Sequence, residues 1–298
     1  MAEFNSLVKR NTKLFFSDKA MFFTSLITPL ILLMLYATFL GDVYKDTFTS
    51  ILSGFDISDE LINGCVSTQL MSSILSVSCV TVAFCSNMLM VQDKITGSIH
   101  DITISPVKPS VLSMSYYVTT FITTFIICVT AAGACLVYTA FTGWFLEFTD
   151  ILLILLDIFI LTLFGTALSS IINFFLNTQG QVSAVGTIIS AGYGFICGAY
   201  MPISQFSNGI QKVCMVLPGT YGTGLLRTHC MGSTLDKMAE SGVQEEFIEA
   251  IKDTVDCNLY FSETQIKTDQ MYLILLGSIA FLVILYIIMY QIKARKVR

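Results

Sequence analysis

Charged side chains are absent from Ala20 to Gly41, Leu61 to Gln92, Pro109 to Leu146, Ile158 to Gln211 and Gln270 to Ile292. Each stretch is long enough for a helix of ~20 residues, rising ~1.5 Å per residue, to cross hydrocarbon. A charge at mid-bilayer costs about 2.5–3.5 kcal/mol, so lipid selects against it where water does not. The fourth stretch has room for two crossings and is interrupted at Asn177-Thr178-Gln179-Gly180-Gln181, a polar, turn-forming break. The pattern predicts an all-α polytopic membrane protein, residues 1–298 forming a single transmembrane domain. Its six transmembrane helices are expected at about 20–40, 66–90, 113–140, 151–173, 182–201 and 271–291.

The remaining segments have patterns of their own. Phe4, Leu7, Val8, Asn11, Leu14 and Phe15 form an apolar stripe beside Lys9, Arg10, Lys13 and Lys19. This predicts an N-terminal amphipathic helix lying in the membrane interface, its cations facing anionic headgroups of the lipid bilayer. Residues 202–269 read as a small, acidic extracellular segment, with a short amphipathic helix where Val243, Phe247, Ile248, Ile251 and Val255 repeat. The apolar pieces around Pro202 and Pro218 are too short to cross, and read as re-entrant half-helices after the fifth span. Between the second and third spans, Gly97 permits a sharp turn, Ser98 and Asp101 have capping-box spacing, and Pro106 and Pro109 stop the helix.

A hydrophobic content of 54% and a mean hydropathy of +0.74 exclude a water-soluble domain of this length. Orientation follows from lysine and arginine. With the N-terminus inside, segments 1–19, 92–110, 174–181 and 292–298 hold Lys9, Arg10, Lys13, Lys19, Lys94, Lys108, Lys293, Arg295, Lys296 and Arg298, out of 16 basic residues in all. The positive-inside rule then puts both termini in the cytoplasm of a multi-pass protein of the cell membrane. The charged lead and the length of the first apolar run point to a retained span rather than a cleaved signal. The net charge of −5 gives no nucleic-acid signal, because the basic residues are committed to the inner lipid surface.

Enzyme chemistry finds no foothold. There is no G-x-x-x-x-G-K-[ST] run to cradle nucleotide phosphates, and no Ser/His/Asp set falls in one compartment. The cysteines lack metal spacing, so no cofactor or metal is expected on this chain. Cys230 and Cys257 both fall in the outer segment and are a possible disulfide, with Cys214 a rival partner. Gly186, Gly192, Gly194 and Gly198 permit close helix contact, as Gly186 and Gly194 would across a dimer seam. Asp157, the one ionisable residue within a span, reads as a structural hydrogen-bonding group or, in a carrier, as an ion-coupling carboxylate.

Three features in order carry a family resemblance. The basic lead Lys9-Arg10 through Asp18-Lys19 enters a span containing Pro29. The loop from Gly97-Ser98-Ile99 to Ser105-Pro106-Val107-Lys108-Pro109 follows. Gly198-Ala199-Tyr200-Met201-Pro202-Ile203 then leads to Leu217-Pro218-Gly219-Thr220-Tyr221 and Leu225-Leu226-Arg227. With six spans, this resembles the membrane-spanning permease subunit of type-2 ABC exporters over essentially the whole chain. The resemblance implies two such subunits, alike or paralogous, and separate ATP-binding subunits that carry ATP and Mg. It implies that Gly97, Ser98, Ile99, His100, Asp101, Ile102 and Thr103 form the helix coupled to the ATPase. It also puts the second span beside the dimer axis, with Ser72, Ser76 and Asn87 facing a translocation path. Where the family has an acid–Arg–acid run before the glycine, this chain has Gln92-Asp93-Lys94. The function implied is outward movement of an amphipathic or lipid-like substrate such as a drug, peptide or lipid. The alternatives are an ion-coupled secondary carrier using Asp157 and a membrane sensor or assembly subunit without flux.

Overall fold

The computed structural model describes residues 2–104, 107–261 and 264–297. Helix α1 (Ala2–Ser17) leads into α2 (Lys19–Leu35), which continues through a π-helical turn at Tyr36–Leu40 into α3 (Gly41–Ile51). The extra residue in that turn changes the helix's facing. Tyr36 is buried there, its hydroxyl 3.4 Å from the Ala199 carbonyl. The expected first span therefore continues as helix well past its apolar run.

Helix α4 (Asp59–Ser86) starts after Ser58, whose hydroxyl accepts from the Leu61 amide at 3.4 Å, and passes through Asn87 into α5 (Met88–Ile95). After α6 (Ser98–Ile104) come α7 (Pro109–Thr142), α8 (Phe148–Phe175) and α9 (Gln179–Ile196). Pro109 occupies the first helical turn of α7, where its missing amide hydrogen is not needed. The polar break at 177–181 separates α8 from α9, the Thr178 hydroxyl capping α9 through the Gln181 amide.

Among the described residues, four helices are long and apolar enough to cross a membrane: Asp59–Ile95, Pro109–Thr142, Phe148–Phe175 and Thr268–Lys293. They are unequally covered, with 89% of the most apolar window of the first buried against 22% in the last. Helix α4 is the central post, packed on α2, α7, α8 and α11. Helix α13 (Thr268–Val297) stands at the periphery, with Leu273, Phe281 and Ile284 exposed.

The connections gather at two ends. At one, Arg10 meets Asp93, Lys94 reaches the carbonyls of 173–176, and Lys293 lies over the Phe174 ring at 5.1 Å. At the other, Phe55 packs on Phe247 at 5.0 Å, Ser233 bonds Asp150, and Arg227 bonds the Gly198 carbonyl.

The segment after α9, where re-entrant half-helices were expected, is helical over most of its length. Short α10 (Asn208–Val216) precedes α11 (Pro218–Glu240), which packs along α4, α8 and α13 with residues 219–227 buried. Its glycines, threonines and arginine dilute hydropathy while allowing close packing, so the sequence showed only the short half-helix at Pro218 and not the full length of α11. The amphipathic helix expected beyond it is α12 (Glu245–Thr254), with Ile248 and Ile251 buried. An antiparallel hairpin, β1 (Leu259–Phe261) with β2 (Thr264–Ile266), is the departure from an all-α fold.

Candidate coupling and translocation site

Helix α6 stands on a polar mount. Arg10 donates to both carboxylate oxygens of Asp93, Nη1 to Oδ2 at 2.8 Å and Nη2 to Oδ1 at 3.0 Å, and the Tyr116 hydroxyl donates to Oδ2 at 2.6 Å. Two parallel charge-assisted bonds fix orientation as well as distance. They also raise the Arg10 pKa further above its ordinary value. The next residue, Lys94, donates its Nζ to the carbonyls of Asn173, Phe174 and Leu176 at 2.9, 2.8 and 3.0 Å. These are orphan acceptors at the negative end of α8. Asp93 and Lys94 thus tie α5 to α1, α7 and α8. Arg10 serves this ion pair, in place of the lipid headgroup expected for it.

Three residues on, Gly97 has φ +81°, in the left-handed region that side chains disfavour. Its carbonyl accepts from the His100 amide at 2.9 Å as α6 begins. The helix starts on Ser98, whose hydroxyl lies 3.0 Å from that of Thr96, so Ser98 sits inside the first turn rather than ahead of it. Ile99 and Ile102 pack toward Met90, Leu112, Tyr116 and Tyr286, while His100 and Asp101 face outward. Ile104 ends the helix 84% exposed, an apolar tip beyond the expected Gly97–Thr103. Pro106, expected with Pro109 to stop this helix, lies outside the described residues, as does Ser105.

The expected path residues lie inside the protomer. Ser72 and Ser76 are buried, their hydroxyls bonded to the Gln69 and Ser72 carbonyls of their own helix at 2.7 and 2.6 Å. Asn87 is buried where α4 gives way to α5 and donates to the Ser169 and Ser170 hydroxyls of α8 at 3.2 and 3.1 Å. The reason is the central position of α4: hydroxyls that bond to their own backbone can sit in a packed core. Of the seam glycines, Gly194 is covered by its own chain, since a Cβ there would meet the Tyr200 ring at 2.4 Å. Gly186 has open space around it.

Toward the α12 end, Asp157 of α8 is held from two helices. His229 Nδ1 of α11 is 2.6 Å from Oδ2, and the Tyr272 hydroxyl of α13 donates to Oδ1 at 2.6 Å. Nearby, Arg227 is buried with a guanidinium nitrogen 3.4 Å from Asp256 and a bond to the Gly198 carbonyl. Asp256 also accepts from the Ile203 and Ser204 amides, so one carboxylate closes the corner after α9. Cys230 and Cys257 are free buried thiols and do not pair; Cys257 Sγ lies 3.8 Å from the Met231 sulfur. Burial pushes the Cys257 thiol up to about 12.

Sequence reasoning located α6 and Asp157 but missed Arg10, Tyr116, His229 and Tyr272 as their partners. Only the unusual acid within an apolar run signalled that a partner was needed.

The ABC-2 type transporter family matches residues 2–229, from α1 through the middle of α11. No curated protein and no solved structure gives a significant match. The match takes in the α6 mount, all of α4 to α9 and Arg227, but not its partner Asp256. This chain, a multi-pass membrane protein, belongs to the ABC-2 type transporter family, the permease component of type-2 ABC transporters.

Proposed function

We propose that the chain is one membrane half of an ATP-driven exporter that moves an amphipathic or lipid-like substrate outward. A separate ATP-binding subunit, carrying ATP and Mg, docks on α6, and a second permease subunit completes the path. The carrying observation is α6 itself. It is a short helix beyond a left-handed glycine, gripped from behind by Asp93 and Lys94, with His100, Asp101 and Ile104 turned outward. A push on such a helix reaches α1, α7 and α8 at once, because each is bonded to the residues just before the glycine. In the family, the permease works with an ATP-binding subunit. The charge pattern puts α6 and both termini in the cytoplasm. In this reading α2 with its continuation, and α9, join the four long helices as crossings, giving six. The exposed face of α9, with Ile188 and Phe195 turned outward, suits the second subunit, while Gly186 lies on the opposite side of that helix. The path then runs along this face, and the buried hydroxyls of α4 serve packing.

Co-purification tests the partner. Deleting 98–104, or replacing Ile104→Asp, is expected to release the ATP-binding subunit while the chain stays in the membrane fraction. Retention of that subunit by both variants contradicts the proposal. Hydrolysis stimulated by amphipathic substrates in the reconstituted pair is the matching functional readout.

A further inference from the structure

Along α1, Phe4, Val8, Thr12 and Phe16 follow one another at i, i+4 spacing, with Asn5, Lys9 and Lys13 as the adjoining row. Val118 and Ile122, one turn apart on α7, form the facing wall of a groove of about 680 Å³. Its walls are apolar and its rim is cationic. Arg10 is committed to Asp93, whereas Lys9 and Lys13 are exposed and meet no acid among the described residues. The Thr12 hydroxyl oxygen is buried against the groove without a hydrogen-bond partner.

Depth narrows the occupant. At ~1.5 Å per residue, Val118 and Ile122 lie roughly 8–14 Å along α7 from residue 113, where the third span is expected to begin, and so within the hydrocarbon of one leaflet just beneath the headgroups. A peptide laid in the groove finds no backbone donors or acceptors there. An acyl chain needs none, and a phosphate at the rim meets two lysines.

We propose that this groove binds an anionic phospholipid, one acyl chain lying between α1 and α7, its phosphate held by Lys9 and Lys13, and an ester oxygen beside Thr12. The proposal rests on the membrane reading in one respect, that α1 lies at a bilayer surface. It predicts that the transporter selects lipid by headgroup at this place, beyond the general attraction of a basic helix.

The test is photolabelling of the full chain in phosphatidylcholine nanodiscs. These contain a trace of diazirine-acyl phosphatidylglycerol or, separately, diazirine-acyl phosphatidylcholine, and adducts are mapped by mass spectrometry. The anionic probe is expected to label α1 and residues 118–122 roughly 25-fold more than the neutral one, about fivefold for each of the two lysines. Lys9→Gln and Lys13→Gln should each reduce that preference about fivefold, the effect of one lysine near an anionic surface. Both positions are exposed, and unchanged thermal unfolding would confirm that the variants fold. Equal labelling by the two probes, or a preference that survives the double substitution, would overturn the proposal. So would displacement of the label by free glycerol phosphate, which would mean a soluble ligand. The measurement uses no ATP-binding subunit, so its failure is separate from failure of the coupling experiment.

Discussion

At the residue scale, Asp157 separates packing from chemistry. Its carboxylate oxygens are taken by His229 and Tyr272, from helices 72 and 115 residues away in sequence. Asp157→Ala leaves both partners facing an apolar interior, and breaking a buried pair of this kind costs about 3 kcal/mol. Thermal unfolding should record that loss, while Asp157→Asn should keep most of the stability and all ATP-driven flux. Abolition of flux by the asparagine, with stability intact, would instead support an ion-coupled carrier. Cys257 gives a second measurement. With its thiol pushed up to about 12 by burial, almost no thiolate exists at neutral pH. Iodoacetamide is expected to spare it in the native protein and modify it after denaturation, and rapid native labelling would contradict the packing around Met231. The need of Asp157 for a partner was legible in the sequence. The partners were not, because no local pattern links residues so far apart.

At the element scale, the α6 mount accounts for the glycine and the two charges before it together. Arg10→Ala strips the partner from a buried Asp93 and loosens α1 from α5. It is expected to lower ATP-driven flux roughly tenfold, the upper part of the range for residues that transmit coupling. The ATP-binding subunit should still co-purify, because the outward residues of α6 are untouched. Loss of binding along with flux would mean that Arg10 belongs to the docking surface itself. Helix positions were legible where lipid or amphipathic periodicity imposes them, as in α1, α7, α8, α12 and α13. Helix α11 escaped because burial among other helices tolerates glycine, threonine and a paired arginine. Helix α3 was overlooked although Tyr44, Phe48 and Leu52 recur at helical spacing and are buried, because its charges mark only the end of the apolar run.

At the scale of the whole molecule, the loops and termini gather into two groups, one around Asp93 and Asn173, the other around Asp150 and Asp256. Arg10, Lys94 and Lys293, one from each of three basic segments, lie in the first group. The hydroxyl-rich second span is the central post of the protomer, and its Ser72 and Ser76 hydroxyls are buried by bonding to their own backbone.

The most direct test of the account is the accessibility of a single added thiol at the tip of α6. Ile104→Cys, compared with the parent chain, is treated with a membrane-impermeant maleimide in intact and then permeabilised cells. The account predicts labelling only after permeabilisation, and protection when the ATP-binding subunit is present. Labelling of intact cells would put α6 on the wrong side of the membrane for any ATP-driven motor and contradict the account.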